Sequence, residues 1–311
     1  MRRPTYQQIL DWNARRGGHR RLGIELIGQI DALQADAIAR HAPVHLQFVP
    51  IRLVTILEVF LREVIAELVD GDEVIFERAE KLVRGTKIDL AFAAYVDGHE
   101  LTIGDFVAHA VSLNGTAGIM SVMDTLIEGF ARRLRVVHSR WSEDAERYPL
   151  PPIVADLDAT MAALTRLFEV RHVLTHEIPS ENVLDPSELA GFFDAAQTFV
   201  EATDWLVVEV LRGTVPRTQI AMNMHAGNDL RGEEERLETI VSQVAALQGI
   251  DGEALREMQT VWTEFADRHA GLVASQVEGG SMYPLLWATI RSDLVRQRIT
   301  RLQSIVDGWM T

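Results

Sequence analysis

HLQFVPIRLVTILEVFLREVIAELV, residues 45–69, is the stretch on which the fold turns. Leu53, Ile56, Leu57, Phe60, Leu61, Val64, Ile65 and Leu68 recur at helical spacing. An apolar stripe that wide belongs to a helix with neighbours on several sides, so it predicts a central core helix. Glu58, Arg62, Glu63 and Glu67 fall on the opposite or flanking face. Pro50 fits the first turn, where its missing N–H costs nothing. Asp70-Gly71-Asp72 ends the segment.

The same period recurs on both sides. Upstream, residues 4–16 and 24–41 read as two amphipathic helices separated by Gly17-Gly18. Downstream, Glu73 to Leu82 is a shorter helix, and Thr102 can cap a helix from Ile103 to Leu113. Ala117 to Val137 reads as one continuous helix, and Trp141 to Pro152 as a proline-bearing loop. A helix from Ile153 and a long helix from Ser187 to Val210 follow. After Gly213–Thr218 (GTVPRT), a linker candidate, come Gln219–Ala246, Asp251–Ala274 and Leu285–Met310. Period-two alternation is nearly absent, so the fold class is all-α. The expected domains are 1–213, a helical bundle with an N-terminal extension, and 214–311, a small bundle of three to four helices.

The chain has 311 residues, 47% hydrophobic, which is enough for one large or two ordinary cored domains. It has no cysteine, which removes disulfides, thiol catalysis and cysteine-based zinc sites and fits a reducing compartment. The N-terminus lacks an apolar signal core, and charges interrupt the apolar runs before about 18 residues. The expectation is a cytoplasmic protein with no membrane span. A net charge of −15 excludes a broad phosphate-clamping face. Two basic clusters, Arg2/Arg3/Arg15/Arg16/Arg20/Arg21 and Arg132/Arg133/Arg135/Arg140, read as solvated surfaces.

Chemistry is densest at Arg171-His172-Val173-Leu174-Thr175-His176-Glu177, just before Pro179. His172 and His176, at i and i+4, share a helix face. A metal pair would need further ligands. Val173 stands where a helical zinc-protease signature has glutamate, so no metal and no cofactor is expected. Arg171 and His176 are about 140° apart around a helix and would converge across a two-fold axis between two chains. Histidine serves as acid or base near neutral pH, and arginine holds phosphate. Attack of an RNA 2′-hydroxyl on its neighbouring phosphate needs those two functions. The plainer reading is a helix C-terminus whose cationic residues complement its dipole.

The R-H-V-L-T-H pattern, late on a helix of an all-α domain and long after ILEVFLREVIAEL, resembles the HEPN family over about residues 44–212. The resemblance implies a metal-independent endoribonuclease that acts as a homodimer on an RNA substrate, often as a toxin or in phage defence, with an antitoxin or other protein as partner. It implies His176 as acid/base, Arg171 as phosphate binder and His172 as a polar group shaping the site. Glu58, Arg62 and Glu177 are supporting candidates, with solvated surface charge the plainer reading for Glu58 and Arg62.

Further on stand Q-I-A-M-N from Gln219, L-R-E-M-Q-T-V-W ending at Trp262, G-G-S-M-Y-P from Gly279, and Arg298 with Leu302. In that order, over about residues 217–305, they resemble the LprI-type lysozyme-inhibitor family. That family pins its helices with cysteines; His225, Ala270 and Ile290 stand at those places here. The reading of the residues is a core of Trp262, Trp287 and Tyr283 in a sensing, recruiting or oligomerising module. Gln259, Trp262 and Ser281 are its candidate binding surface. The alternative for the whole chain is a non-catalytic protein-binding scaffold.

Overall fold

A computed structural model describes residues 5–15, 23–40, 42–86, 95–96, 101–143 and 150–309. Gly17-Gly18, the arginines at 2, 3, 16, 20 and 21, Met310 and most of the 141–152 loop lie outside them. Among the described residues the structure is helical, with one isolated bridge between Trp141 and Val215 and no strand. The chain divides into two compact units. Unit 1 comprises Met1–Arg140 and Arg147–Thr214, and unit 2 comprises Trp141–Glu146 and Val215–Thr311.

Unit 1 contains α1 (Thr5–Arg15), α2 (Gly23–Ala39), the one-turn α3 (Pro43–Leu46), α4 (Phe48–Gly71), α5 (Glu73–Val83), α6 (Ile103–Ala110), α7 (Thr116–Leu126), α8 (Phe130–Leu134), α9 (Leu157–His176) and α10 (Glu188–Leu211). The central helix is α4, which packs against α2, α5, α6, α7, α9 and α10. Its buried residues include Leu53, Leu57, Phe60, Leu61, Val64, Ile65 and Leu68, so the stripe at residues 53–68 is indeed the middle of the core. By length and apolarity alone α4 could cross a membrane, despite the charges expected to interrupt it. Those apolar side chains are instead the centre of the unit 1 core.

Capping explains most boundaries. Asp72 accepts from Ile75 N at 2.9 Å and starts α5. Thr102 and Asp105 form a reciprocal capping box at α6. Asp156, not Ile153, begins α9 by accepting from Ala159 N at 3.0 Å. One continuous helix from Ala117 to Val137 does not form. Gly129 adopts φ +70°, and Asp124 accepts the Phe130 N–H at 3.1 Å, so the chain turns between α7 and α8. The periodicity carried no sign of this break, because Ile127, Phe130 and Leu134 are buried on both sides of it.

Two close approaches tie helices to α4 and α10. Gly104, in the first turn of α6, donates its N–H to Asp70 Oδ1 at 2.8 Å. Gly23, at the start of α2, lies against the Asp204 carboxylate of α10; a Cβ there would sit 2.5 Å from Asp204 Oδ1. Burial, followed by the nearby charges of Glu67 and Glu201, pushes the Asp204 carboxyl up to about 6. A raised carboxyl pKa means the folded chain holds its proton longer than the unfolded chain. Stability therefore falls as pH rises from about 4 to about 6, by roughly 2–3 kcal/mol at most, and stays lower above that. Asp204→Asn, nearly isosteric, is expected to raise the unit 1 melting temperature by several degrees at pH 8 and by little at pH 4.5. Equal gains at both pH values, read by circular dichroism, would remove Asp204 from the account.

Unit 2 holds α11 (Gln219–Ala245), α12 (Gly252–Ala274), a 3₁₀ turn (Ser275–Val277) and α13 (Tyr283–Trp309). Both α11 and α12 pack on α13. The core is aliphatic, with Leu230, Leu237, Ile240, Val244, Leu255, Val295 and Leu302 buried. The aromatic core expected from sequence is displaced to its edge. Trp262 and Trp287 are half-buried against this cluster, and Tyr283 is outside it. Segment 141–143 docks on the start of α11. There Glu143 accepts N–H bonds from Arg217 at 3.0 and 2.9 Å and from Thr218 at 2.6 Å. Desolvation works against the charged form, yet these bonds hold the Glu143 carboxyl down at about 2.

Candidate functional site

The motif occupies the last turn and a half of α9. Leu164, Leu167, Phe168 and Val170 keep the preceding turns in the core. At Arg171 the helix leaves that core: Arg171 is half-buried, and His172, Thr175, His176 and Glu177 are exposed. The helix stops where Glu177 turns to an extended conformation and its N–H closes on Val173 O at 2.9 Å. Pro179 follows, and it biases the residue before it away from helix. The outgoing loop is clamped to the helix. Arg166 donates to Glu188 Oε1 and to Val183 O, both at 2.8 Å. That hydrogen bond lowers the Glu188 carboxyl pKa despite desolvation.

Arg171 does not stand alone. Its Nη2 lies 3.4 Å from Glu58 Oε1 on α4, each side chain about one-quarter exposed (24% and 23%). Glu58 is therefore a contact of the motif rather than a solvated surface charge. Arg62, one turn along α4, behaves differently: it donates to the carbonyl of Ala108 on α6. Burial lowers the Arg62 pKa and the Glu58 charge opposes that shift. Glu58 thus stands beside two guanidiniums, and only one of them belongs to the motif. Glu177 contributes its backbone N–H to the helix end.

The His172 and His176 rings lie with centroids 5.0 Å apart and planes tilted by 49°. Thr175 Oγ1 is tied back to the carbonyls of Arg171 and His172, at 2.8 and 3.1 Å. Among the described residues no group of three or more histidines and carboxylates is placed to hold a metal ion. Arg171, turned toward α4, and His176, at the exposed helix tip, do not close around one small ligand within a single chain.

The second basic cluster is largely neutralised. Arg133 and Arg140 both pair with Glu209, the former at 3.0 Å, and Arg135 pairs with Asp158 at 2.7 Å. Exposed pairs of this kind add little stability, but they leave little free charge for a phosphate backbone.

In unit 2, Gln259 and Trp262 lie together. Gln259 Oε1 accepts from Arg298 Nε at 3.3 Å, and the Arg298 and Arg291 guanidiniums lie 5.7 and 5.6 Å from the Trp262 ring centroid. Ser281 is elsewhere. Its carbonyl accepts from Asn223 Nδ2 at 3.0 Å. It precedes α13, whereas Arg298 is about 22 Å along that helix by its rise per residue. The structure therefore separates Ser281 from Gln259 and Trp262. Of the positions where cysteines were expected, His225 is exposed and pairs with Asp229 at 3.0 Å, and Ala270 is fully buried. Sequence reasoning missed Glu143 and Arg298 as polar anchors. The partners of Glu143 lie some 75 residues away and leave no local pattern, whereas Arg298 sits one turn before the buried Leu302 of its own helix.

No solved structure matches the chain. An uncharacterized protein of Rhizobium meliloti (strain 1021) is 28% identical over 105 residues, which cover 29% of this chain and 76% of that protein. The family model described as "Lysozyme inhibitor LprI" matches residues 214–302, so the three helices of unit 2 are LprI-like.

Proposed function

We propose that this chain is a metal-independent endoribonuclease of HEPN type, acting in the cytoplasm as a homodimer in toxicity or phage defence, with its LprI-like domain sensing or recruiting a protein partner. The observation that supports it most is the arrangement at the end of α9. Arg171 is oriented by Glu58 at 3.4 Å, and two free-standing imidazoles share the exposed tip. In this reading His176 takes the proton of the RNA 2′-hydroxyl as its oxygen attacks the adjacent phosphorus. Arg171 holds a non-bridging phosphate oxygen and compensates charge on the five-coordinate phosphorus. The departing 5′-oxygen takes up a proton from the second histidine or from water. The products are a 2′,3′-cyclic phosphate and a 5′-hydroxyl. A second copy brings the other Arg171 and His176 to the same phosphate, since one helix cannot.

Induced expression in a bacterial host tests the toxin arm. Wild type is expected to arrest growth, and His176→Ala, at equal protein level, is not. Equal growth of both strains would count against it.

The similarity of residues 214–302 to a lysozyme-inhibitor family favours a second reading, a non-catalytic protein-binding chain. In that case His176→Ala changes oligomeric state or stability and nothing else. A muramidase assay with the purified chain checks the inhibitor form of it directly.

A further inference from the structure

Helix α12 has two apolar faces, and the unit 2 core uses one. Leu255, Ala266, Ala270 and Ala274 are buried. Met258, Val261, Phe265 and Leu272 recur at i, i+3, i+7 and i+14 on another face and are 44%, 64%, 54% and 73% exposed. With half-buried Trp262 and with Arg298 from α13, the first three line a groove of about 610 Å³. A continuous exposed apolar stripe beside a core is characteristic of a surface that receives another molecule.

The charge in the groove selects the occupant. Neighbouring arginines on α13 are each paired twice: Arg291 with Asp267 and Glu234, and Arg296 with Glu233 and Asp293. Among the described residues Arg298 has no carboxylate partner. Its Nε is used by Gln259, while its Nη2 is enclosed and has no hydrogen-bond partner. Burial, and then the like charge of Arg301, lowers its pKa, as for a cation short of compensation. An enclosed guanidinium nitrogen beside an indole and aliphatic side chains is complementary to a carboxylate carried next to an apolar group.

We propose that the groove between α12 and α13 docks an apolar peptide segment of a partner protein that carries an aspartate or glutamate, with Met258, Val261 and Phe265 covering its apolar side chains and Arg298 taking the carboxylate. Helix-in-groove recognition uses this division between apolar anchors and one fixed charge. The site is independent of the α9 motif and holds whether or not the chain cleaves RNA.

Random dodecapeptides displayed against the purified full-length chain supply the probe, and fluorescence polarisation of the selected peptides measures affinity. The selected peptides are expected to share an acidic residue within four positions of a large apolar one. Val261→Glu, an exposed change that cannot disturb the core, should abolish binding. Arg298→Gln, with its helicity checked by circular dichroism, should weaken it at least tenfold. Changing the peptide's acidic residue to its amide should cost as much in wild type and nothing further in Arg298→Gln. Failure to enrich peptides, peptides without a carboxylate, or affinity unchanged in Arg298→Gln would overturn the proposal. So would a shift from dimer to monomer on Val261→Glu in sedimentation equilibrium, which would make the occupant a second copy.

Discussion

His176→Ala and Arg171→Ala are each expected to lower RNA cleavage by about 10²–10⁴-fold, the range over which a positioned acid/base or a phosphate-charge partner accelerates transfer. The fold should survive, because His176 is exposed at the end of α9 and Arg171 is only half-buried. Arg171→Ala also leaves Glu58 facing Arg62 alone, a loss of roughly 1 kcal/mol after solvent screening. Lysine at 171 should not restore activity, since it lacks the planar fork that can bond a phosphate while turned by Glu58. Glu58→Gln is expected to act through Arg171. It should lower kcat about tenfold while the pH profile, set by the histidines, keeps its shape. A Glu58→Gln profile shifted on its acidic limb would instead place that carboxylate in the proton transfer. Gel-resolved cleavage of a labelled RNA, with circular dichroism of each variant, reads all of these.

The largest expected effect on stability lies far from the motif, at Gly104. A Cβ there would press on the carbonyl oxygen of Ala66, with Ala66 Cα at 2.8 Å and Asp70 Oδ1 at 2.7 Å. Two of the three obstacles are the backbone of α4, which cannot rotate away. Gly104→Ala must therefore lift α6 off the central helix and weaken the bond from Gly104 N to Asp70. The cost should reach about 3 kcal/mol, at the upper end for overpacking. Gly118→Ala is the control. Its Cβ would meet only Ser112 O at 3.5 Å, inside α7, so helix propensity should make that change neutral or mildly stabilising. Urea unfolding of unit 1 followed by helicity separates the two. Similar midpoints for both variants would show that α6 does not sit this tightly on α4.

Residues 53–68 announced the core because hydrophobic burial writes a 3.6-residue period directly into the chain. Caps such as Thr102 and Asp156 are legible for the same reason: donor and acceptor lie within three residues. Gly129 was invisible because apolar positions continue on both sides of a turn made by one backbone angle and one aspartate bond. Glu58 was in view as a candidate, yet its meeting with Arg171 spans 113 residues and no local spacing encodes it. Ser281 looked joined to Trp262 because motif order in sequence was taken for proximity; the length of α13 keeps them apart. The free guanidinium of Arg298 was hidden for a different reason. A charge reads as solvated until its neighbours are known.

The most direct measurement is cleavage of a labelled RNA by the purified wild-type chain in excess EDTA, with the new termini identified by mass spectrometry and the oligomeric state fixed by sedimentation in the same buffer. A dimer that cuts without metal and leaves a 2′,3′-cyclic phosphate opposite a 5′-hydroxyl is the predicted result. An intact RNA, a cut that EDTA prevents, or cleavage by a strict monomer would contradict the account, because Arg171 and His176 of one helix cannot close on a single phosphate.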